Sequence, residues 1–347
     1  MIEQKIFKTL SGEEQKIPPV WLMRQAGRYL PEYLKIRKKY EKFTDLCLST
    51  EDVIEITCQP IRRFDFDAAI LFSDILIVPH LIGREFFFDE KKGPITEKIS
   101  CEEDLNLLSL ENFHKKASNI YDSVREIRNI LPKDKSLIVF TASIWTLIYY
   151  IIRDNTDDIT QDYKFYKTIY EKPQWLVRLI HLLKEVSVEY IEKLIDSGAD
   201  IVKIFDTHAS QIPDEVLLSY CFEQHLEIMR RVKKKHPKTP FICFPKGIGV
   251  RYHEYVKKIN PDILAIDSKI PLDYASSVLK KEVTIQGNLD PITLVVGGNA
   301  LDTQVNRILD NLAGKNFIFN LGHGIRPETD IANVERMMKI IRNRCND

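Results

Sequence analysis

The chain carries no net charge: its 347 residues set 50 Lys and Arg against 50 Asp and Glu. A global basic field of the kind that gathers nucleic acid is therefore missing, and any anion site must arise from local clustering. The six cysteines form no C-x-x-C pair, and no His-x-Cys occurs, so neither a zinc motif nor a redox motif is present. No P-loop, H-E-x-x-H or G-x-S-x-G is found, and no G-x-G-x-x-G follows the first apolar run. The amino-terminal MIEQKIFKTLSGEEQK lacks the continuous apolar core of a signal peptide. The most apolar long stretch, Ala68 to Gly83, is broken by Asp74, Pro79 and His80, which does not suit a membrane span. With Cys243 inside the apolar PFICF, the cysteines read as buried reduced thiols and the chain as a cytoplasmic protein without a membrane partner.

What is present is a series of eight short apolar runs: PVWLM (19–23), AAILF (68–72), LIVFT (137–141), IVKIF (201–205), PFICF (240–244), ILAID (263–267), VTIQG (283–287) and FIFN (317–320). Most are apolar at consecutive positions, as strands covered on both faces require. Helical spacing separates several of them, with broad apolar faces over 174–195, 216–232 and 331–341. Alternating strands and helices imply right-handed parallel crossovers. Eight such units predict a (β/α)₈ TIM barrel, α/β in class, formed as a single domain over 1–347. An open doubly wound sheet competes, but the missing glycine fingerprint counts against it. The connection after the second run is overlong, and its REFFFDEKKGPITEKI stretch reads as an inserted hairpin within an insertion around 79–100.

In such a barrel chemistry sits at the carboxyl ends of the strands. The polar residues that follow the runs are Arg24, Asp74, Ser143, Asp206 with Thr207, Lys246, Asp267, Asn288 and His323. Polar strand tips also serve as helix caps, and half of these are expected to be only that. Arg24 and Arg28 flank Gly27 directly after a buried run, where guanidinium forks clamp carboxylates or phosphates. Asp74 ends a continuous apolar run, so it is either paired with Arg24 or Arg28 or held for a purpose. Tyr149 and Tyr150 lie in WTLIYYII, and periodicity does not choose between them. Thr207 reads first as a cap. His323, between Gly322 and Gly324, is an imidazole available to a carboxylate or a proton.

The strings WLMRQAGRYLPEY, FDAAILFSDIL, FPKGIG, IQGNLDP and FNLGHGI, in this order between residues 21 and 325, resemble the uroporphyrinogen decarboxylase family. The resemblance implies a TIM barrel, usually a homodimer, without metal or organic cofactor. It implies a carboxy-lyase of haem biosynthesis that removes CO₂ from the four acetate arms of uroporphyrinogen III to give coproporphyrinogen III. It places Arg24, Gln25, Ala26, Gly27, Arg28, Arg37, Asp74, Tyr150, Thr207 and His323 at the substrate, with Asp74, Arg24, Tyr150 and His323 as catalytic candidates. The segment VFTASIWTL (139–147) departs from the family's approximate GFAGAPWTL, and R-D-N replaces its E-G-G turn. Two other readings remain in view. A zinc-dependent corrinoid or thiol methyltransferase of the same superfamily needs the His-x-Cys that is missing here. An inactive tetrapyrrole binder is suggested by the altered third-strand segment.

Overall fold

The computed structural model describes residues 4–89, 93–153 and 159–344. Seven parallel strands form one curled sheet in chain order: β1 (Ala68–Ile70), β4 (Ser136–Ala142), β5 (Ile201–Asp206), β6 (Phe241–Pro245), β7 (Ile263–Ala265), β8 (Thr284–Leu289) and β9 (Phe317–Leu321). Between β1 and β4 lies an antiparallel hairpin of β2 (Phe86–Asp89) and β3 (Gly93–Thr96), with Phe87 opposite Ile95.

The eighth stave is the run 19–23, and it closes the circle with only a few backbone bonds. Val20 bridges Phe319 in parallel, the Phe319 N–H donates to the Pro19 carbonyl at 2.9 Å, and the Asp67 N–H donates to the Val20 carbonyl at 2.8 Å. This segment therefore joins β9 on one side and the start of β1 on the other, and the fold is a (β/α)₈ barrel. Pro18 and Pro19 lack N–H donors, which explains why this stave makes one bridge where the others make ladders.

Strand alternation divides the apolar residues into two bodies. Trp21, Met23, Ile70, Ile138, Ile201, Ile242, Phe244 and Ile318 fill the barrel interior. Their strand neighbours, including Val139, Val202, Cys243 and Phe319, face outward into the larger layer shared with the helices. The predicted helices are present as Gln174–Asp196 and Ile331–Asn343, and the third occupies Asp214 to Lys235 with a π turn at Leu218–Phe222. Several helix starts carry the expected caps. Ser143 accepts from the Thr146 N–H, Asp290 from Ile292 with Pro291 at the first helical position, and Asp330 from Ala332. Ser143 is thus a cap, one of the strand-tip residues with a purely structural task.

Candidate active site

The tips of the stave and of β9 are stitched together before any functional group is reached. The Met23 N–H donates to Asn320 Oδ1 at 3.0 Å, and the Ile325 N–H donates to the Met23 carbonyl at 2.8 Å. Arg24 then turns with φ 61°, in the left-handed region where a non-glycine residue is uncommon. Its aliphatic stem lies across Gly324: a Cβ on that residue would stand 2.5 Å from Arg24 Cδ. Gly324 is therefore needed for close approach, and the approach carries the guanidinium past His323 to the barrel mouth.

Asp74 follows β1 and begins a turn in which its Oδ1 accepts the Leu76 N–H at 2.8 Å. Some of its surface faces solvent, although protein atoms crowd it from most directions. No Lys, Arg or His nitrogen of the described residues lies within 4.0 Å of the carboxylate, so of the two readings open for Asp74 the salt bridge to Arg24 or Arg28 is not made. Burial raises the Asp74 pKa above the usual carboxylate value, opposed by the Leu76 N–H and by the charge of Arg24. Asp74 is thus an anion in a low-dielectric setting whose cation stands off at a distance.

The two adjacent tyrosines separate by environment. Both lie on the helix Ile144–Ile152. Tyr149 stacks on the His208 ring at 4.1 Å and 16° and lies under the Arg153 guanidinium at 5.2 Å. Tyr150 meets His208 edge-on at 4.9 Å and feels the charges of Asp74 and Arg24. Burial, then Asp74, pushes its phenol up to about 12, so it stays protonated. Its carbonyl is clamped by Thr96 Oγ1 at 2.6 Å and Lys98 Nζ at 2.7 Å, both from the hairpin side. Thr207, half-buried at the tip of β5, does not cap the turn Ala209–Gln211 that follows, and its hydroxyl has no hydrogen-bond partner among the described residues.

His323 packs against Phe244 at 6.3 Å, and its pKa falls to about 3 through burial, with Lys246, Arg24, Lys203 and His208 adding to the effect. It is a neutral imidazole at physiological pH. Lys246 is a strand-tip residue that belongs beside these groups, because its field reaches both His323 and His208. Its own pKa is lowered by burial against the opposing pull of Asp267. Sequence reasoning noted its position but gave no reason to choose it. His208, its pKa lowered by burial to about 4, is stacked on Tyr149 inside the site.

Gln25 is tied into the scaffold. Its side chain is fully buried, Oε1 accepts the Leu22 N–H at 3.1 Å, and Nε2 donates to the Ala68 carbonyl at 3.0 Å. Its backbone N–H and C=O are taken by Leu22 and by the Tyr29 hydroxyl. These bonds hold Gln25 in the fold, so it braces the arginine turn. Ala26 and Gly27 are half-buried and Arg28 is exposed. Arg37 stands further out, bonded to the Tyr40 carbonyl and 6.0 Å from the Phe43 ring, which in turn packs on Phe72 just before Asp74. Asp267 and Asn288 serve as braces: Asp267 accepts from Gly247, Lys269 and the Tyr252 hydroxyl, and Asn288 donates to the carbonyls of Asp267 and Ile270.

The group among the described residues with metal-ligand chemistry is Asp206, Cys221 and His225, whose donor atoms lie within 4.8 Å of one another. It is fully buried and sits outside the barrel, behind β5. Two surface hollows, of about 700 Å³ near Asp214 and Lys258 and about 540 Å³ near Phe7 and Pro237, contain none of the strand-tip groups. The site is therefore defined by chemistry: arginine, an unpaired aspartate, a protonated phenol, a neutral imidazole and a lysine around the barrel mouth.

Comparison with known proteins bears on that set of groups. A family model described as uroporphyrinogen decarboxylase (URO-D) matches residues 1–344. A protein named uroporphyrinogen decarboxylase from Brucella anthropi is 42% identical over 342 residues, covering 98% of this chain and 99% of its own length. The one from Brucella canis is 41% identical over the same span. Among solved structures, a methyltransferase from Methanosarcina mazei superposes with a TM-score of 0.78 at 15% identity, covering 99% of this chain and 98% of its own. At that identity the likeness speaks for the barrel fold alone.

Proposed function

The chain belongs to the uroporphyrinogen decarboxylase family, a carboxy-lyase acting on uroporphyrinogen, and from that premise we propose how its strand-tip residues divide the reaction. An acetate arm on a pyrrole cannot lose CO₂ until the ring is an electron sink. Protonation of a ring carbon makes it one, giving an iminium-like cation into which the C–COO⁻ electron pair collapses as CO₂ departs. A second protonation at the freed carbon, with loss of the first proton from the ring carbon, yields the methyl group and restores the pyrrole, for a net uptake of one proton.

Asp74 stabilises that cation. It has no cation in contact, and unlike Asp267, whose oxygens accept from Gly247, Lys269 and Tyr252, it accepts a single hydrogen bond, so its charge is free to act on the substrate ring. In a low-dielectric setting a fixed anion is worth far more than in water and needs no reorganisation as the charge develops. Desolvation, which raises its pKa, is the same effect seen from the ground state: the site is short of positive charge until the ring supplies it. Arg24 and Arg28, with Lys246 beside them, orient the substrate's carboxylates, and Arg37 extends this along the rim. Thr207, with an unengaged hydroxyl, is a further donor to the substrate. His323 contributes a neutral N–H to a carboxylate, and so the proton is drawn from the Arg24–Tyr150 side, where the phenol keeps its hydrogen.

The observation that carries this reading is the unpaired state of Asp74. Its test is turnover of uroporphyrinogen under anaerobic reducing conditions by Asp74→Asn. Substrate binding persists, and kcat falls at least a hundredfold, about 3 kcal/mol of transition-state stabilisation. Near-normal turnover refutes the assignment.

The same reading takes in the chain's setting. No helix of the described residues is long and apolar enough to cross a membrane, and the five described cysteines are unpaired, which supports a reducing, cytoplasmic compartment. Family membership supports a homodimer, and analytical ultracentrifugation across a range of concentrations tests it. The reaction as written needs no metal or organic cofactor.

A further inference from the structure

Asp206 is completely buried at the end of β5, and its side chain points away from the barrel interior toward the helix layer. Its side chain touches no other strand-tip residue, yet three site-bearing elements meet on Asp206. Its Oδ1 accepts the Thr146 hydroxyl at 2.8 Å, one turn before Tyr150 on the same helix face. That hydroxyl accepts in turn from the His208 N–H at 3.3 Å. The Asp206 carbonyl accepts the Lys246 N–H at 3.1 Å. The helix and strand tip are closed on each other again by Trp145 Nε1 donating to the His208 carbonyl at 2.9 Å and by the Tyr149–His208 stack.

Burying a carboxylate costs more than a neutral residue of the same shape, so stability alone gives no reason for it here. Its second oxygen faces His225 Nε2 at 3.4 Å, and the other ring nitrogen of His225 lies 2.6 Å from the Tyr255 hydroxyl. The Cys221 thiol beside them is held protonated, its pKa pushed up by burial and then by Asp206. On the other side its carboxylate is bonded to the site-bearing helix through Thr146.

We propose that Asp206, acting through the Thr146 hydroxyl, is a positioning residue for the decarboxylation: it fixes the helix that presents Tyr150 against the strand tip that presents Thr207 and His208. The inference rests on the placement of Tyr150 in the site proposed above.

The experiment compares Thr146→Val, which removes only the hydroxyl, with Thr146→Ser, which restores it, each assayed at a temperature where circular dichroism shows it folded. Thr146→Val lowers kcat about tenfold with KM within about twofold, and Thr146→Ser recovers most of the loss. The double variant Thr146→Val/Tyr150→Phe is no slower than Tyr150→Phe alone, because one residue acts through the other. Normal kcat in Thr146→Val beside an impaired Tyr150→Phe overturns the inference and leaves the site standing. Normal turnover in Tyr150→Phe overturns the assignment beneath it. Additive losses in the double variant, or failure of serine to recover activity, overturn the route through the hydroxyl. Stoichiometric zinc or iron in the purified protein, lost in Cys221→Ser, also overturns it, since Asp206 would then be a metal ligand.

Discussion

The two ends of the barrel use the same side chain for opposite purposes. At the amino-terminal end, three aspartates each accept the backbone N–H of the preceding stave and hold a cation as well. Asp67 takes the Val20 N–H at 2.7 Å with Lys5 and Arg342, Asp200 the Leu137 N–H at 2.7 Å with Arg128, and Asp262 the Phe241 N–H at 2.8 Å with Lys233. At the carboxyl-terminal end, Asp74 has one backbone N–H and no cation in contact. A paired carboxylate lowers the energy of the fold, whereas an unpaired one raises it and keeps its field for something not yet bound. The difference teaches which end was built for stability and which for chemistry.

Paired substitutions at the two ends break the comparison most sharply. Asp74→Asn removes at least a hundredfold in kcat but leaves urea unfolding unchanged or shifts it to higher denaturant at neutral pH. The sign follows from its raised pKa: the folded carboxyl binds a proton more readily than the unfolded one, so its ionisation opposes folding. Asp67→Asn does the reverse. It costs about 2 kcal/mol in the unfolding midpoint, through lost charged hydrogen bonds, while kcat of the folded protein is retained. Equal effects of the two variants on kcat erase the distinction.

Lys203 sharpens it further, because it is an unpaired charge-bearing group in the middle of the barrel. Its Nζ is fully buried without a hydrogen-bond partner among the described residues, surrounded by the rings of Trp21, Phe205 and Phe244 at 4.8–5.1 Å. Burial holds its pKa well below the normal lysine value. Between its lowered folded pKa and about pH 10 the unfolded lysine binds a proton that the folded one does not, so the wild type gains stability as pH rises through that window. Lys203→Met flattens this pH dependence and adds about 1 kcal/mol at pH 7, as measured by denaturant titration at pH 7 and pH 9.

The smallest effect is a limb that does not move. Activity falls as acid protonates Asp74, at a higher pH than for an ordinary aspartate. His323, neutral down to about pH 3, adds nothing to that limb. His323→Asn therefore lowers activity without shifting the acid side of the kcat/KM profile. A shifted limb assigns the ionisation to the imidazole instead.

Much of the scaffold was legible before folding. The eight apolar runs correspond to the seven strands and the closing stave, since burial on both faces demands continuous apolar residues. Asp74 stood out because a carboxylate that ends an apolar run is costly unless used, Arg24 and His323 because glycines flank them at strand ends, and Thr207 only through the family resemblance. Legibility failed where three-dimensional partners decide. Gln25 sits inside the same string as Arg24 and Arg28, yet its amide is consumed by Leu22 and Ala68. Tyr149 and Tyr150 are indistinguishable by period, and only the position of His208 sends one into a stack and the other toward Asp74. Lys203 lies in IVKIF, a run whose pattern does not say which side faces the axis. Asp206 was read as one more polar tip, because nothing local records that Thr146, sixty residues earlier, donates to it.

By itself the sequence determined the barrel, the face on which chemistry occurs and the residue types available there, because periodicity and the cost of burying polarity act along the chain. Only the tertiary structure decided which carboxylates are paired with a cation and which are not. Pairing depends on distances between segments far apart in sequence, and a separation of one ångström there settles whether a charge serves the fold or the substrate.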